Sequence, residues 1–385
     1  MTGSFDVAIV GAGVFGAWTA DRLSHAGASV ILLDAYGPGN SRASSGGESR
    51  IIRLGYGPDE IYTRSAVRSF ELWYEFFDKL NDDRTSLFHR TGVLWLAHET
   101  DPYCEAVLTT FKKVGARFER LERAELQHRY PQLDLGRVDW GILEPEAGAL
   151  MARRAVQSLC SHMQKDGVTY LQQSVVPPGK PGRVRSLKTT AGETISADNF
   201  VFACGPWLPK LFPELLAHRF HITRQEVFFF GVPAGDDRFS APHLPIWIDF
   251  NDLVYSIPNL EGRGFKLAID AHGPEFDPDS GDRVVTADGV KAARDYLSRR
   301  VPALANAPVT ETRVCQYENT ANGDFLIDRH PDFENLWLVG GGSGHGFKHG
   351  PTVGEYVAQL MAGEVTPEPR FSLASKNRMR QRMVY

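Results

Sequence analysis

The pattern that most constrains the fold of this chain lies in its first 34 residues. A short apolar run at residues 5–10 leads into the sequence GAGVFG at residues 11–16. A stretch with helical character follows at residues 17–26, and a second apolar run at residues 29–33 ends at Asp34. Strand, glycine turn, helix, strand and acid in this order predict a Rossmann-like dinucleotide-binding unit.

Each part of this unit has a physical role in holding a dinucleotide. Gly11 permits the tight turn, Gly13 lets the backbone approach a pyrophosphate, and Gly16 lets the helix pack close to the sheet. The helix N-terminus offers N–H groups to the phosphates. Asp34 is placed to accept hydrogen bonds from ribose hydroxyls, and an acid there argues against a 2′-phosphate. The prediction is therefore FAD or NAD and not NADP.

Length and composition limit the remaining alternatives. At 385 residues the chain exceeds the usual size of a single core, so two domains are expected. The net charge is −5 and the arginines are scattered, which predicts no nucleic-acid partner. We expect no membrane span and no signal peptide, since no apolar run is long enough and the chain starts as a strand. The basic tail at residues 376–382 is expected to be solvated.

The cysteines indicate the redox environment. Their spacing is neither paired nor typical of metal ligands, so we expect no disulfide framework, no metal site and a cytoplasmic location. The four cysteines are Cys104, Cys160, Cys204 and Cys315.

The loop after Asp34 has two interpretations. Residues 35–50 are rich in Gly and Ser and cannot form a core, and Arg50 and Arg53 then flank an apolar pair. The segment is either a solvated surface loop or a cradle over a cofactor, with the arginines turned towards anionic groups. The position of the two arginines in the sequence does not distinguish between these interpretations.

The remainder of the chain contains segments typical of the dinucleotide-binding domain and segments rich in β-forming residues. Residues 199–207 form an apolar run that ends in small residues, typical of a buried parallel strand that approaches a cofactor. From residue 219 aromatic and β-branched runs predict an inserted, mostly antiparallel sheet. A second glycine-rich turn at residues 340–348 leads into a helix predicted over residues 353–361. The predicted division is an FAD-binding domain formed by residues 1–85, 146–215 and 311–385, and a substrate domain formed by residues 86–145 and 216–310.

Three motifs carry a resemblance to a known family. They are SRIIR at residues 49–53, CQYENT at residues 315–320 with DFLID at residues 324–328, and GSGHGFK at residues 342–348. Together with the dinucleotide fingerprint, they resemble the monomeric sarcosine oxidase family, which includes N-methyltryptophan, pipecolate and fructosyl-amino-acid oxidases. The likeness covers nearly the whole chain, and the motifs come in the family's order.

The resemblance implies a fold and an activity. The expected fold is α/β, with a Rossmann-like FAD-binding domain interleaved with a mixed or antiparallel-sheet substrate domain, as in glutathione reductase and D-amino-acid oxidase. The implied activity is FAD-dependent oxidation of a secondary amine to an imine that hydrolyses, with O2 reduced to H2O2. The cofactor carries this chemistry and the protein orients the reactants. The resemblance also implies a monomer.

The resemblance assigns roles to individual residues. Cys315 becomes the covalent attachment point through its sulfur to the flavin 8α carbon, although a buried free cysteine is the alternative from composition alone. Lys266 becomes the lysine that promotes reaction with oxygen, whereas a strand lysine is otherwise usually solvated. Arg53 and Lys348 match a clamp for the substrate carboxylate. The other implied site residues are Arg50, Tyr255 and Tyr317 around the ring and the substrate, and Ser41, Arg42, Ser49, Val175, Cys204, Gly205, Gly342, Gly344, His345 and Gly346 along the cofactor.

Two departures from the family pattern bear on the substrate. Sarcosine-specific enzymes carry a histidine four positions after the strand lysine, where this chain has Asp270. They also carry histidines in the loop before the first arginine, where this chain has Ser45 and Gly46. A carboxylate favours a cationic or hydroxyl-bearing substrate, and the smaller loop residues leave more room. We therefore expect an N-substituted amino acid larger than sarcosine.

Two other functions remain open on the sequence. One is a dehydrogenase of the same fold that passes electrons to an acceptor other than oxygen, against which Lys266 argues. The other is a non-catalytic flavin-binding partner or sensor subunit. The joint presence of Arg53, Lys266, Cys315 and Lys348 argues against that second alternative.

Overall fold

A computed structural model describes residues 4–80 and 87–377 of the chain, in which strands and helices alternate. The strands are β1 (Ser4–Val10), β2 (Val30–Leu33), β3 (Arg50–Ile52), β4 (Phe88–His89), β5 (Val93–Ala97), β6 (Glu119–Glu122), β7 (Trp140–Glu144), β8 (Gly148–Leu150), β9 (Thr169–Leu171), β10 (Val175–Val176), β11 (Ser186–Thr189), β12 (Thr194–Phe202), β13 (Phe220–Phe230), β14 (Ile246–Asp249), β15 (Val254–Ile257), β16 (Phe265–Ile269), β17 (Val309–Thr320), β18 (Leu326–Arg329) and β19 (Leu336–Gly340). The helices are α1 (Val14–His25), α2 (Glu60–Lys79), α3 (Pro102–Val114), α4 (Arg123–Arg129), α5 (Ala152–Lys165), α6 (Leu208–Leu211), α7 (Pro213–Leu216), α8 (Ala287–Arg300) and α9 (Gly350–Ala362).

The first sheet has a parallel centre, as the opening pattern predicts. Its main path is β10-β11-β12-β1-β2-β9, and β19 pairs with β12 and carries β18. The pairs β1–β2, β1–β12, β2–β9 and β12–β19 are parallel. The chain leaves β1 for β2 on one side, while β12 lies on the other side of β1. In sheets of this kind, ligands bind in the crevice between two neighbouring strands whose connections run to opposite sides. Here that crevice lies between β1 and β12.

The second sheet supports the other half of the molecule. Its order is β17-β13-β16-β15-β14-β5-β7-β6, and its pairs are antiparallel except for the parallel pair β14–β5. A small third sheet, β3-β8-β4, contains Arg50 at its edge. These strands confirm the predicted α/β fold with a mixed second sheet. Because β17 pairs with β13, the second sheet extends to Thr320, beyond residue 310. The five-segment division of domains stays a prediction.

Close packing of α1 against α9 brings the two glycine-rich turns together. A Cβ on Gly354 would lie 2.4 Å from the carbonyl oxygen of Trp18, so only glycine allows this approach. A Cβ on Gly346 would likewise lie 2.9 Å from Cζ of Phe15. A buried apolar cluster that includes Trp18, Trp73 and Val357 fills the space beneath the sheet. The second turn therefore faces the first across α1.

Two further expectations concern the ends and the surface. Lys376 is buried and donates to Asn322 Oδ1 at 3.0 Å, so the prediction that the basic tail is solvated is wrong at this residue. Residues 378–382 of that tail lie outside the described residues. Within the described ranges, each helix is too short or too polar to cross a bilayer.

Candidate functional site

A first cavity lies at the carboxyl ends of β1 and β12. It measures about 1290 Å³ with its open mouth included. Gly11 has a φ of 107°, and a Cβ there would lie 2.3 Å from the carbonyl oxygen of Ala203, so the turn requires glycine. Most of the predicted cofactor contacts line this cavity: Gly11, Gly13, Asp34, Val175, Cys204, Gly205, Cys315, Gly342, Gly344 and Gly346.

Asp34 is held rigidly at one end of the first cavity. Its Oδ2 accepts from the backbone N–H of Ala12 at 2.7 Å, and its Oδ1 accepts from those of Tyr36 and Gly37 at 2.8 and 2.9 Å. Burial raises the pKa of Asp34, while these three N–H groups act in the opposite direction. A carboxylate has about four acceptor positions, so Asp34 keeps capacity for a ribose hydroxyl.

The lining of the first cavity fits FAD. The Gly11 turn lets a pyrophosphate approach the backbone, and Asp34 offers an acceptor at one end. At the other end the cavity reaches Cys315 and the Gly344 turn. A buried carboxyl oxygen, Glu318 Oε2, also lines it and has no hydrogen-bond partner among the described residues. A polar ligand that spans these groups would satisfy each of them.

A second cavity of about 920 Å³ adjoins the first. The two share part of their lining, so a ligand in one meets a ligand in the other. The shared residues are Arg50, Cys315, Tyr317, Gly344 and Phe347. The remaining predicted residues that line the second cavity are Ser49, Arg53, Tyr255, Lys266, Asp270, His345 and Lys348.

Arg50 and Cys315 lie together at the junction of the two cavities. Arg50 Nη2 donates to the Ser44 carbonyl at 2.6 Å and to Cys315 Sγ at 3.4 Å. Arg50 Nη1 donates to the Ser49 carbonyl at 2.9 Å. These contacts fix the Arg50 guanidinium beside the buried sulfur of Cys315.

Lys266 enters the second cavity from β16. Its Nζ donates to the Ser49 carbonyl at 3.0 Å and to Ser49 Oγ at 3.3 Å, and the residue is 3% exposed. Burial and, next, the charge of Arg50 lower the pKa of Lys266 to about 7. This burial excludes the outward, solvated alternative, and the role of Lys266 at the flavin stays a prediction. Near neutral pH the lysine is therefore poised between its charged and neutral forms.

Arg53 and Lys348 converge on Tyr56. The Arg53 guanidinium lies over the Tyr56 and Trp95 rings, 4.6 and 4.8 Å from their centroids. Lys348 Nζ donates to Tyr56 Oη at 2.8 Å and to the His345 carbonyl at 2.9 Å. Burial and the charge of Arg53 lower the pKa of Lys348 well below its usual value. An anion between the two would favour the charged lysine.

Asp270 opposes these cations across the second cavity. Tyr317 Oη donates to Asp270 Oδ1 at 2.5 Å. Burial raises the pKa of Asp270 to about 7, although the Tyr317 hydrogen bond and the charges of Arg53 and Lys348 lower it in part. Burial also raises the pKa of Tyr255, followed by the charge of Asp270. The cavity thus presents an acid and two cations to one ligand.

Sequence reasoning missed a buried acid that supports Arg53. Glu144 Oε2 accepts from the Leu54 N–H at 2.6 Å, and Oε1 accepts from the Gly55 N–H at 3.2 Å and from Trp95 Nε1 at 2.8 Å. These bonds fix the backbone that follows Arg53. A carboxylate at the end of an apolar strand was the sequence signal that could have indicated it.

A second missed group is a chain of hydrogen bonds behind Lys348. Tyr56 Oη lies 2.7 Å from His349 Nε2, and His349 Nδ1 lies 2.8 Å from Ser65 Oγ. Burial lowers the pKa of His349 well below its usual value, followed by the charge of Lys348. A neutral imidazole can accept at one nitrogen and donate at the other, which suits this chain. No sequence signal links residues so distant along the chain.

Three predicted cofactor contacts lie away from both cavities in the described part of the chain. Gly16 is inside α1, where a Cβ would lie 1.8 Å from the Gly11 carbonyl oxygen, so its role is close packing. The Ser41 carbonyl accepts from Arg313 Nη2 at 3.0 Å. Arg42 lies over the Tyr36 ring at 5.0 Å and donates to the Asp279 carbonyl at 2.8 Å. Cofactor contacts by Ser41 and Arg42 stay predictions, as do those of the residues that line the cavities.

Comparisons with known proteins agree with this arrangement. Residues 6–360 match the model of a family described as FAD dependent oxidoreductase. The chain is 30% identical to the monomeric sarcosine oxidase of Bacillus sp. (strain B-0618), over 98% of this chain and 97% of that protein. It is 26% identical to the N-methyl-L-tryptophan oxidase of Salmonella heidelberg (strain SL476), over 96% and 97%. The structure of L-proline dehydrogenase from P. horikoshii superposes with a TM-score of 0.82 at 20% identity, over 99% of this chain and all of that one, which shows a shared fold.

Proposed function

This chain belongs to the FAD-dependent oxidoreductase family, within its group of sarcosine oxidases, and from that premise we propose that it oxidises an N-substituted amino acid larger than sarcosine. It is an FAD-dependent oxidoreductase that acts on CH–NH groups. The observation that carries the proposal is the second cavity, which is lined by Arg53, Lys348 and Asp270 and adjoins the first. This cavity offers a complementary group to the carboxylate, the amine and the N-substituent of such a substrate.

The substrate carboxylate binds between Arg53 and Lys348. A planar guanidinium and an ammonium that converge on one carboxylate fix its orientation as well as its affinity. Both cations are buried, at 3% and 4% exposure, and each is held by neighbours. Burying a carboxylate beside them offsets their desolvation, so an amino acid binds better than its neutral amide.

Asp270 selects the N-substituent. Its Oδ1 already accepts from Tyr317, which leaves Oδ2 and further acceptor capacity for an N–H or O–H group of the ligand. The acid lies where sarcosine-specific enzymes of the resembled family have histidine. A methyl group cannot donate a hydrogen bond to the Asp270 carboxylate, whereas a hydroxyl-bearing or cationic substituent can. Sarcosine should therefore be a poor substrate.

Bound FAD would supply the redox chemistry, a two-electron oxidation of the substrate CH–NH unit to an imine that hydrolyses, with O2 as the final acceptor and H2O2 as its product. The residues of the chain orient the amine and supply charge. Arg50 places positive charge at the junction of the cavities, and protonated Lys266 adds a charge in the second cavity, where both would stabilise anionic character that develops on oxygen. We also propose that Cys315 holds the flavin through its sulfur, supported by its position at that junction beside Arg50.

Matched substrate pairs test this proposal. We would measure kcat/KM for sarcosine, N-methyltryptophan, pipecolate, proline and fructosyl amino acids, each beside its carboxamide. The expected result is a larger N-substituted amino acid as the best substrate, with its amide at least tenfold poorer. Sarcosine as the best substrate would overturn the size and Asp270 argument, and equal rates for acids and amides would overturn the Arg53–Lys348 clamp.

A further inference from the structure

Glu318 is a buried acid that the reaction described above does not use. It lies on β17, three residues after Cys315, and is 7% exposed. Its side chain lines the first cavity. Oε1 accepts from the Gly342 N–H at 3.0 Å, whereas Oε2 has no hydrogen-bond partner among the described residues. A buried polar atom without a partner is costly, so its orientation into a ligand cavity needs an explanation.

Two glycines make room for this carboxyl group. A Cβ on Gly205 would lie 3.2 Å from Glu318 Oε2, and a Cβ on Gly342 would lie 3.2 Å from Oε1. Gly205 follows the carboxyl end of β12, and Gly342 belongs to the second glycine-rich turn. Side chains at either place would press on the carboxyl group and on the cavity beside it. The carboxyl group is thus held between two turns that both line the first cavity.

The surroundings of Glu318 favour its protonated form. Burial raises the pKa of Glu318 to about 7, and the Gly342 N–H lowers it only in part. Within the described residues, these are the groups that shift it, and no cation is among them. The ionisable neighbour is the Cys204 thiol, whose own pKa burial raises well above its usual value, with Asp34 and Glu318 adding to the rise. An uncharged carboxyl group has one O–H to donate, and Oε2 is the oxygen left for it.

We propose that Glu318 is a ligand of bound FAD, whose protonated Oε2 donates a hydrogen bond to an oxygen of the cofactor in the part of the first cavity bounded by Gly205 and Gly342. A protonated carboxyl group of this kind acts like a hydroxyl group: it donates a hydrogen bond to the ligand and keeps its proton. The proposal rests on FAD binding and is independent of the amine substrate. Loss of the proton would place an unpaired anion beside the cofactor.

Infrared difference spectroscopy of the flavin-containing protein tests this assignment. The flavin is reduced photochemically without amine or O2, and the C=O stretch of protonated carboxyl groups is recorded from pH 5.5 to 8.5. We expect a carboxyl band that shifts when the flavin is reduced and declines as the pH rises through about 7. The band should be absent from Glu318→Gln, which keeps the shape and a neutral donor. It should remain in Asp270→Asn and in the control Glu364→Gln, whose parent side chain is exposed.

Either of two infrared outcomes would overturn the proposal. One is a wild-type protein without any carboxyl band that responds to flavin reduction. The other is the same band in Glu318→Gln. A second variant, Glu318→Leu, keeps the volume without a polar atom, and its flavin midpoint potential should shift by about 30 mV for each tenfold change in relative affinity for the two redox states. An unchanged potential with unchanged pH dependence in that variant would also overturn it. A failure of the amine panel would leave these results intact, so the two proposals fail separately.

Discussion

Replacement of Asp270 by asparagine tests how this chain selects its substrate. In the wild type, Tyr317 Oη donates to Asp270 Oδ1 at 2.5 Å. Asparagine keeps the shape of the side chain and an oxygen that can accept this hydrogen bond, so the substitution removes the charge and little else. A hydrogen bond to a charged group contributes ~1.5–3 kcal/mol, against ~0.5–1.5 kcal/mol between neutral groups. The difference of about 1–1.5 kcal/mol corresponds to a five- to tenfold loss of kcat/KM for a hydroxyl-bearing or cationic substrate. Sarcosine, which has no such group, should change less than twofold.

The loss of kcat/KM in Asp270→Asn should depend on pH. Burial raises the pKa of Asp270 from 3.8 to about 7, so the carboxylate forms as the pH rises through 7. The ratio of wild-type to variant kcat/KM should therefore grow between pH 6 and pH 8 and level off above. Stopped-flow flavin reduction at each pH measures it, and Asp252→Asn, an exposed acid on the turn between β14 and β15, is the control. A constant ratio, or an equal loss with sarcosine, would refute the assignment of Asp270 to the substituent.

Three further substitutions address the other parts of the site. Lys266→Met should slow reoxidation of the reduced flavin by O2 far more than anaerobic reduction by amine, and equal losses would contradict it. Because the pKa of Lys266 is lowered to about 7, the wild-type oxygen rate should fall as the pH rises through 7, whereas the methionine variant should show no such fall. Lys348→Met removes a hydrogen bond to a charged group, worth ~1.5–3 kcal/mol, so KM for amino acids should rise about ten- to a hundredfold while KM for their amides stays nearly constant. Cys315→Ser should release flavin into the supernatant after acid precipitation, where the wild type keeps fluorescence on the protein; flavin released equally by both would exclude attachment at Cys315.

Local elements were predictable where one short segment holds the whole signal. The Gly11 turn and α1 follow from glycine spacing and apolar periodicity. Two β-prone runs, at residues 186–190 and 193–196, flank Ala191-Gly192 and predict a hairpin, which β11 and β12 form. The helix α3 shows where this approach fell short. The spacing of its apolar residues predicts a helix over residues 107–114, whereas α3 begins at Pro102, directly after Asp101, whose side chain accepts from the Cys104 N–H at 3.0 Å. An acid followed by proline is a helix-start signal that the apolar pattern does not include.

The candidate site was less accessible from the sequence, because its geometry comes from pairing between distant segments. Family motifs predicted Lys266, Arg53 and Lys348, and the structure places all three on the second cavity. The partners that fix their positions were not predicted, since Glu144 and Tyr56 reach the site through contacts between separate sheets and helices. Burial, which determines whether an acid such as Glu318 keeps its proton, depends on the packed interior and not on neighbours along the chain.

If this chain passes electrons from an N-substituted amino acid through FAD to oxygen, one anaerobic experiment should resolve both halves of that transfer. The flavin-containing protein is mixed without air with each amine of the substrate panel, its absorbance is followed, and air is then admitted while peroxide is assayed. We expect bleaching by a larger N-substituted amino acid, then rapid return of the flavin absorbance with one peroxide formed per flavin reoxidised. Bleaching that air does not reverse would show a dehydrogenase instead, and a flavin that no amine in the panel bleaches would contradict the proposed substrate class.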